Sequence, residues 1–142
     1  MQDHVNHARL GQRLAALMSR AVRDVAVEGL DPVVRLFDLV GRRWLLGAGT
    51  PPAGFGEDGF VLCVAGSEHL LEGGWRYEPL ALDAVGFVQD WVIDELDRTW
   101  PDSRLASRRE RPFLHPVVVG GLEGWACGSE WVASIGDLER LG

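Results

Sequence analysis

The sequence has no lysine. All fourteen basic residues are arginine, set against twenty-one acidic ones, and the net charge at pH 7 is −7. An acidic chain opposes the counterion-driven attraction that underlies non-specific nucleic-acid binding, and anionic lipid repels it, so neither partner is expected. Cysteine is also scarce: Cys63 and Cys127 are the only two, far apart and without a CxxC spacing. That excludes a disulfide framework or zinc-knuckle pattern and predicts buried, reduced thiols. Long hydrophobic runs are missing. The longest, Phe60 to Ala65, falls well short of the ~20 apolar residues of a spanning helix. The opening MQDHVNHARL carries Asp and His where a secretory signal would place a basic stretch and an apolar core, so a cytoplasmic protein is expected. The Gly-rich stretch GAGTPPAGFG has neither a P-loop Lys nor G-x-G-x-x-G at a strand-to-helix junction, and no cofactor is expected.

What is present is ordinary for a globular protein, with 46% apolar and 25% charged residues. A chain of 142 residues is one domain's worth, 1–142, and buries roughly two thirds of its unfolded surface. From Asp3 to Glu28, Leu10, Leu14, Leu17, Ala21 and Val25 recur at helical spacing, with Arg9, Arg13, Arg20 and Asp24 off the stripe; this predicts an amphipathic helix ended by Gly29. Residues 32–48 read as a hairpin around Gly41-Arg42 in preference to a helix opened by Asp31-Pro32, because β-branched and aromatic residues are enriched there and the arms are short. The following TPPAGFGEDG is a loop.

The run FVLCVA, closed by Gly66-Ser67, has the pattern of a strand buried on both faces. SEHLLEGG then reads as a connection, and WRYEPL, from Trp75 to Leu80, as a partner strand. Asp83 is placed as the cap of a second amphipathic helix with a stripe of Val85, Val88, Trp91, Val92 and Leu96, stopped by Pro101, with Asp90, Asp94 and Asp97 on its far side. Strands near 114–119, 123–127 and 130–135 complete the chain. The predicted class is α+β: an N-terminal helix, a mainly antiparallel sheet, a second helix and a C-terminal three-stranded meander.

Candidate chemistry is thin. The stretch CVAGSEH gathers Cys63, Ser67, Glu68 and His69 at a strand end, a nucleophile beside a carboxylate and an imidazole. It lacks a G-x-S-x-G elbow, and Cys63 lies between apolar neighbours that predict an unreactive thiol. A metal site would need about four converging ligands; Cys63 and His69 across a turn, and His115 and Cys127 across a possible hairpin, are pairs that could meet without anything requiring it, and no metal is expected. His4 and His7 share a helix face, read as surface. The stretch from Arg104 to Arg111, with Arg108 and Arg109 at its centre, either grips an acidic group or folds onto the acidic helix as an ion-pair network, the second being favoured. Six Trp residues are the conspicuous excess. Trp44, Trp91 and Trp125 fall in core-like positions, whereas Trp75, Trp100 and Trp131 sit at element edges, where exposed rings beside Arg are the usual make-up of a protein contact.

In HPVVVGGLEGWACGSEWVASIG, a two-residue turn at Gly128-Ser129 places Trp125, Cys127, Glu130 and Val132 on one face and Ala126, Trp131 and Ala133 on the other. The pattern alone leaves open which face is buried. In the C-terminal third, the order FVQDWVIDEL, TWP, HPVV, WAC and ASIGDL resembles an uncharacterised family of small actinobacterial proteins with a Trp-Pro, a His-Pro strand and a W-x-C hairpin. In that family further Cys and His follow the Trp-Pro and give a zinc-ribbon-like look. Here Asp102, Ser103 and the Arg-rich stretch stand in those places, only His115 and Cys127 match, and the resemblance implies no activity.

The expectation is therefore a non-enzymatic protein-protein interaction module, an accessory, adaptor or immunity-type protein contacting another protein through Trp75, Trp100, Trp131, Arg108 and Arg109. The alternatives are a small enzyme or ligand-binding domain with its site near Cys63 and His69, and a homodimeric scaffold.

Overall fold

The Leu10, Leu14, Leu17, Ala21 and Val25 stripe is buried along the first helix, α1, Gln2–Ala26. The structure is a computed structural model and describes residues 2–102 and 114–141, with side chains over 7–102 and 114–140. One residue off the stripe departs from expectation: Asp24 is also fully buried, for a reason given below.

Residues 32–48 form the hairpin, β1 (Val34–Asp38) and β2 (Arg43–Leu46), paired antiparallel. Asp38 shapes the turn, its Oδ1 accepting the Val40 N–H at 3.0 Å in the short-range pattern that favours Asp at such positions. Strand β3 (Phe60–Val64) pairs with β1 and is buried at every residue. Its other neighbour is β4, Ser67–Leu70, so the sheet order is β2-β1-β3-β4. The alternation along β3 divides two cores. Phe60, Leu62 and Val64 face the helices, while Val61 and Cys63 join Phe37 and Leu39 in a smaller cluster covered by Trp44 and Phe55.

Two expectations fail here. SEHL is a strand, unrecognised because an edge strand keeps mostly exposed, polar side chains. WRYEPL is not one: helix α2 runs Tyr77–Leu96, seven residues earlier than an Asp83 cap implies. Pro79 lies in its first turn, where the missing N–H costs no helical bond. The stripe of α2 is buried at Val85, Val88 and Val92, Asp90 and Asp94 are exposed, and the exposed Asp97 ends the helix in a left-handed conformation (φ 54).

The meander forms as β5 (His115–Val119), β6 (Leu122–Cys127) and β7 (Glu130–Ser134). Gly120 and Gly121 both take positive φ, 58 and 81, which a two-residue primed turn requires. Its inner face packs Trp125 and Cys127 into the main core, so Cys127 is a packing residue and Trp131 lies on the other side. A bulge places Val132 as the extra residue, because Trp125 pairs with Ala133 and Ala126 with Trp131. Ala133 thereby moves to the core side, against the simple alternation.

At the end of α2, buried Gln89 donates to the carbonyls of Trp100 (3.0 Å) and Leu114 (2.6 Å), and Leu114 N–H donates to Pro101 O (2.8 Å). The chain on either side of 103–113 is thus fixed side by side. No helix among the described residues is long and apolar enough to cross a membrane.

Candidate functional site

The β3–β4 register decides the Cys63 constellation. Cys63 pairs with Glu68 and Leu62 with His69, so the thiol and the imidazole lie on opposite faces of the sheet. Cys63 is fully buried in the smaller core, and burial pushes its thiol up, the Arg35 charge only partly opposing. A nucleophile on one face cannot pass its proton to a base on the other. His69 is instead held by α2: Nε2 lies 2.8 Å from Asp83 Oδ2, and its ring stacks on Phe87 at 4.7 Å. Asp83 also accepts the Glu72 N–H at 2.7 Å. This carboxylate ties β4 to α2 in place of capping the helix.

His115 and Cys127 do not converge either, since His115 pairs with Ala126 on the outer face of the meander while Cys127 points to the core. Among the described residues, no group of three or more His, Cys, Asp or Glu could hold a metal ion. Arg104, Arg108, Arg109 and Arg111 lie outside the described residues.

The three edge tryptophans separate. Trp100 is 3% exposed and meets Trp125 edge-to-face at 5.4 Å; the chain folds back past the end of α2 and delivers this ring to the core, so it is not a contact residue. Trp75 is 53% exposed and Trp131 39%. The Trp131 ring lies against Gly124, where a Cβ would sit 2.3 Å from its Cη2. Only glycine allows the ring to lie so close to β6. Around it the outer face of the meander carries His115, Val117, Val119, Leu122 and Ala126, with Val119 60% and Leu122 65% exposed. None of these side chains is a carboxylate or an arginine.

A second feature lies at the start of α1. His7 is not a surface residue: it is 4% exposed, and its Nε2 is hydrogen-bonded to Asp38, itself 3% exposed. Its ring stacks on Phe60 (4.5 Å between centroids, 7° between planes) and meets Trp75 edge-on at 4.9 Å. The same Asp38 oxygen accepts the Val40 N–H, so it acts as an acceptor and His7 Nε2 is the donor. Where the imidazole is neutral this leaves a lone pair at Nδ1, which is buried and without a hydrogen-bond partner among the described residues. His7 lines two depressions. One, of about 140 Å³, is bounded by Asp58, Phe60, Leu70, Leu71 and Trp75; the other, of about 210 Å³, by Asp38, Val40 and Arg43. The sequence signal for this pair was weak, one His on a helix and one Asp at a turn 31 residues away.

Two further polar clusters are saturated. Asp24 accepts Trp125 Nε1–H (2.8 Å), Gly136 N–H (2.7 Å) and Leu138 N–H (3.0 Å), binding α1 to the C-terminal chain. Burial nonetheless raises its carboxyl above the ordinary value, outweighing those donors. Glu123, on β6, accepts the Tyr77 hydroxyl and Arg20 (3.1 Å), while the Arg13 guanidinium lies 3.4 Å over the Tyr77 ring. Burial alone would push Glu123 up, but the Tyr77 and Arg20 hydrogen bonds hold it below its usual value. Tyr77 is driven far upward by burial and by the Glu123 carboxylate. These clusters join helices to sheet and leave no open chemistry.

Comparison with protein-family models, with curated proteins and with solved structures gives no match.

Proposed function

We propose that this protein is a non-enzymatic interaction module that presents the outer face of its C-terminal meander to another protein. The observation that carries this reading is the uncharged apolar surface of Val119, Leu122 and Trp131, opposite the face that packs into the core. Depletion of charge with retained aromatic and aliphatic surface is the composition of an interface centre. Trp131 suits such a role because the absence of a side chain at Gly124 lets its ring lie close against β6, presenting a broad aromatic surface. Cys63 and His69, the residues of the enzyme or ligand-binding alternative, are on opposite faces of the sheet, which favours the interaction reading over it.

The test is a double substitution at the exposed tip, Val119→Asp with Leu122→Asp. Both side chains project into water, so stability should change by only about 0.5 kcal/mol each. Tagged wild-type protein captured from its own host is expected to retain a specific partner that the double variant loses. Retention of the same proteins by both forms sinks the proposal. So does a sedimentation result in which the wild type is a dimer that the variant breaks, since the partner would then be a second copy.

A further inference from the structure

We propose that the depression between Trp75, Asp58 and His7 binds a small organic cation, an alkylammonium or guanidinium group. A buried polar atom without a partner is costly in a native structure, and His7 Nδ1 is such an atom. The other ring nitrogen is committed to Asp38, and the ring stacks on Phe60 and makes a T-shaped contact with Trp75. The two nitrogens of an imidazole point to nearly opposite sides, so Nδ1 is turned away from Asp38, and His7 lines the depression of about 140 Å³. Trp75, more than half exposed, stands at its mouth.

The chemistry of the lining selects the ligand. Neutral His7 offers a lone pair at Nδ1, the exposed Asp58 a carboxylate, and Trp75 and Phe60 offer aromatic surface; no arginine among the described residues lines the cavity. Acceptors, negative charge and aromatic faces together favour a positively charged N–H donor, since a cation gains from the ring quadrupole and from the carboxylate at once. An anion would meet only the Asp58 charge. The volume sets the size, with room for roughly five water-sized groups at about 30 Å³ each, which suits a short amine or the end of an arginine side chain. A cation of that size donates one N–H to Asp58, lies against the indole and directs a second N–H toward His7.

The intact chain is titrated with n-butylammonium and with methylguanidinium, with 1-butanol as the uncharged counterpart, while the ¹⁵N signals of His7 Nδ1 and Trp75 Nε1 are followed. The cations are expected to move both signals saturably and 1-butanol neither. Asp58→Asn and Trp75→Leu, both at exposed positions, should each weaken binding about tenfold. An amide-capped Gly-Arg-Gly peptide identifies the source: binding as tight as methylguanidinium points to an arginine side chain of a protein, and binding of the free cations alone to a free amine. The inference is overturned if 1-butanol shifts the signals as the cations do, if neither cation moves them, or if both variants bind as the wild type does.

Discussion

Asp24 and His7 are buried polar side chains near opposite ends of one helix, and they differ in how far their hydrogen-bonding capacity is used. Asp24 accepts three N–H groups from the C-terminal chain, with both of its oxygens engaged. His7 donates to Asp38 and keeps Nδ1 unused. The first arrangement is what stability asks of a buried carboxylate, because every lone pair facing protein meets a donor. The second keeps an atom in reserve next to a cavity. Burial alone therefore does not separate a structural polar residue from a functional one; the count of unmet hydrogen bonds does.

Removing each residue tests that contrast. Asp24→Ala leaves three buried donors without an acceptor and should cost about 4 kcal/mol, at roughly 1–3 kcal/mol per abandoned group with partial relief by water. Chemical denaturation checks it, and a loss below about 1 kcal/mol would mean that the three bonds are not formed. His7→Leu strips Asp38 of its side-chain partner yet also removes an unsatisfied nitrogen, so its cost should be smaller, about 2 kcal/mol. If His7→Leu proves the more damaging, the contrast drawn here is wrong.

The smallest expected effect lies in pH dependence, where Asp24 and Glu123 act in opposite senses. The raised Asp24 carboxyl favours the folded state below its ordinary value of 3.8, and that contribution is lost as pH rises through the folded value. The lowered Glu123 carboxyl contributes above its ordinary 4.5, and its contribution is lost as pH falls through the depressed value. Asp24→Asn should thus compare less favourably with wild type in acid and better toward neutral pH. Glu123→Gln should show its greatest deficit near neutral pH and recover in acid. Unfolding curves collected from acid to neutral pH resolve the two, and variants that run parallel to wild type would refute both assignments.

Much of this fold was legible from periodicity. The α1 stripe, the doubly buried β3, the hairpin over 32–48 and the meander all follow from patterns that match the element they form. The failures share a cause: a local pattern was outvoted by a distant partner. SEHL is a strand because β3 offers it an edge, and WRYEPL is the entry to a helix although its residues alternate. Asp24 stands off the apolar stripe, yet the C-terminal chain covers it with three donors more than a hundred positions away. Trp100 reads as an edge residue until Gln89 fixes its carbonyl and turns the ring inward. The Val132 bulge shifts Ala133 to the core by one position, which no alternation rule anticipates. The candidate site was hidden for the same reason, since neither His7 nor Asp38 is unusual alone and only the packing of α1 on the first hairpin makes them a pair.

The two cysteines, dismissed as packing, acquire another use from where they sit. Cys63 lies inside the four-stranded sheet and Cys127 inside the meander, both sealed from solvent. Each sulfur is thus an internal clock for one sheet: a thiol-reactive reagent can reach it only in the moments when that sheet parts, so the two halves of the molecule carry separate records of their own opening.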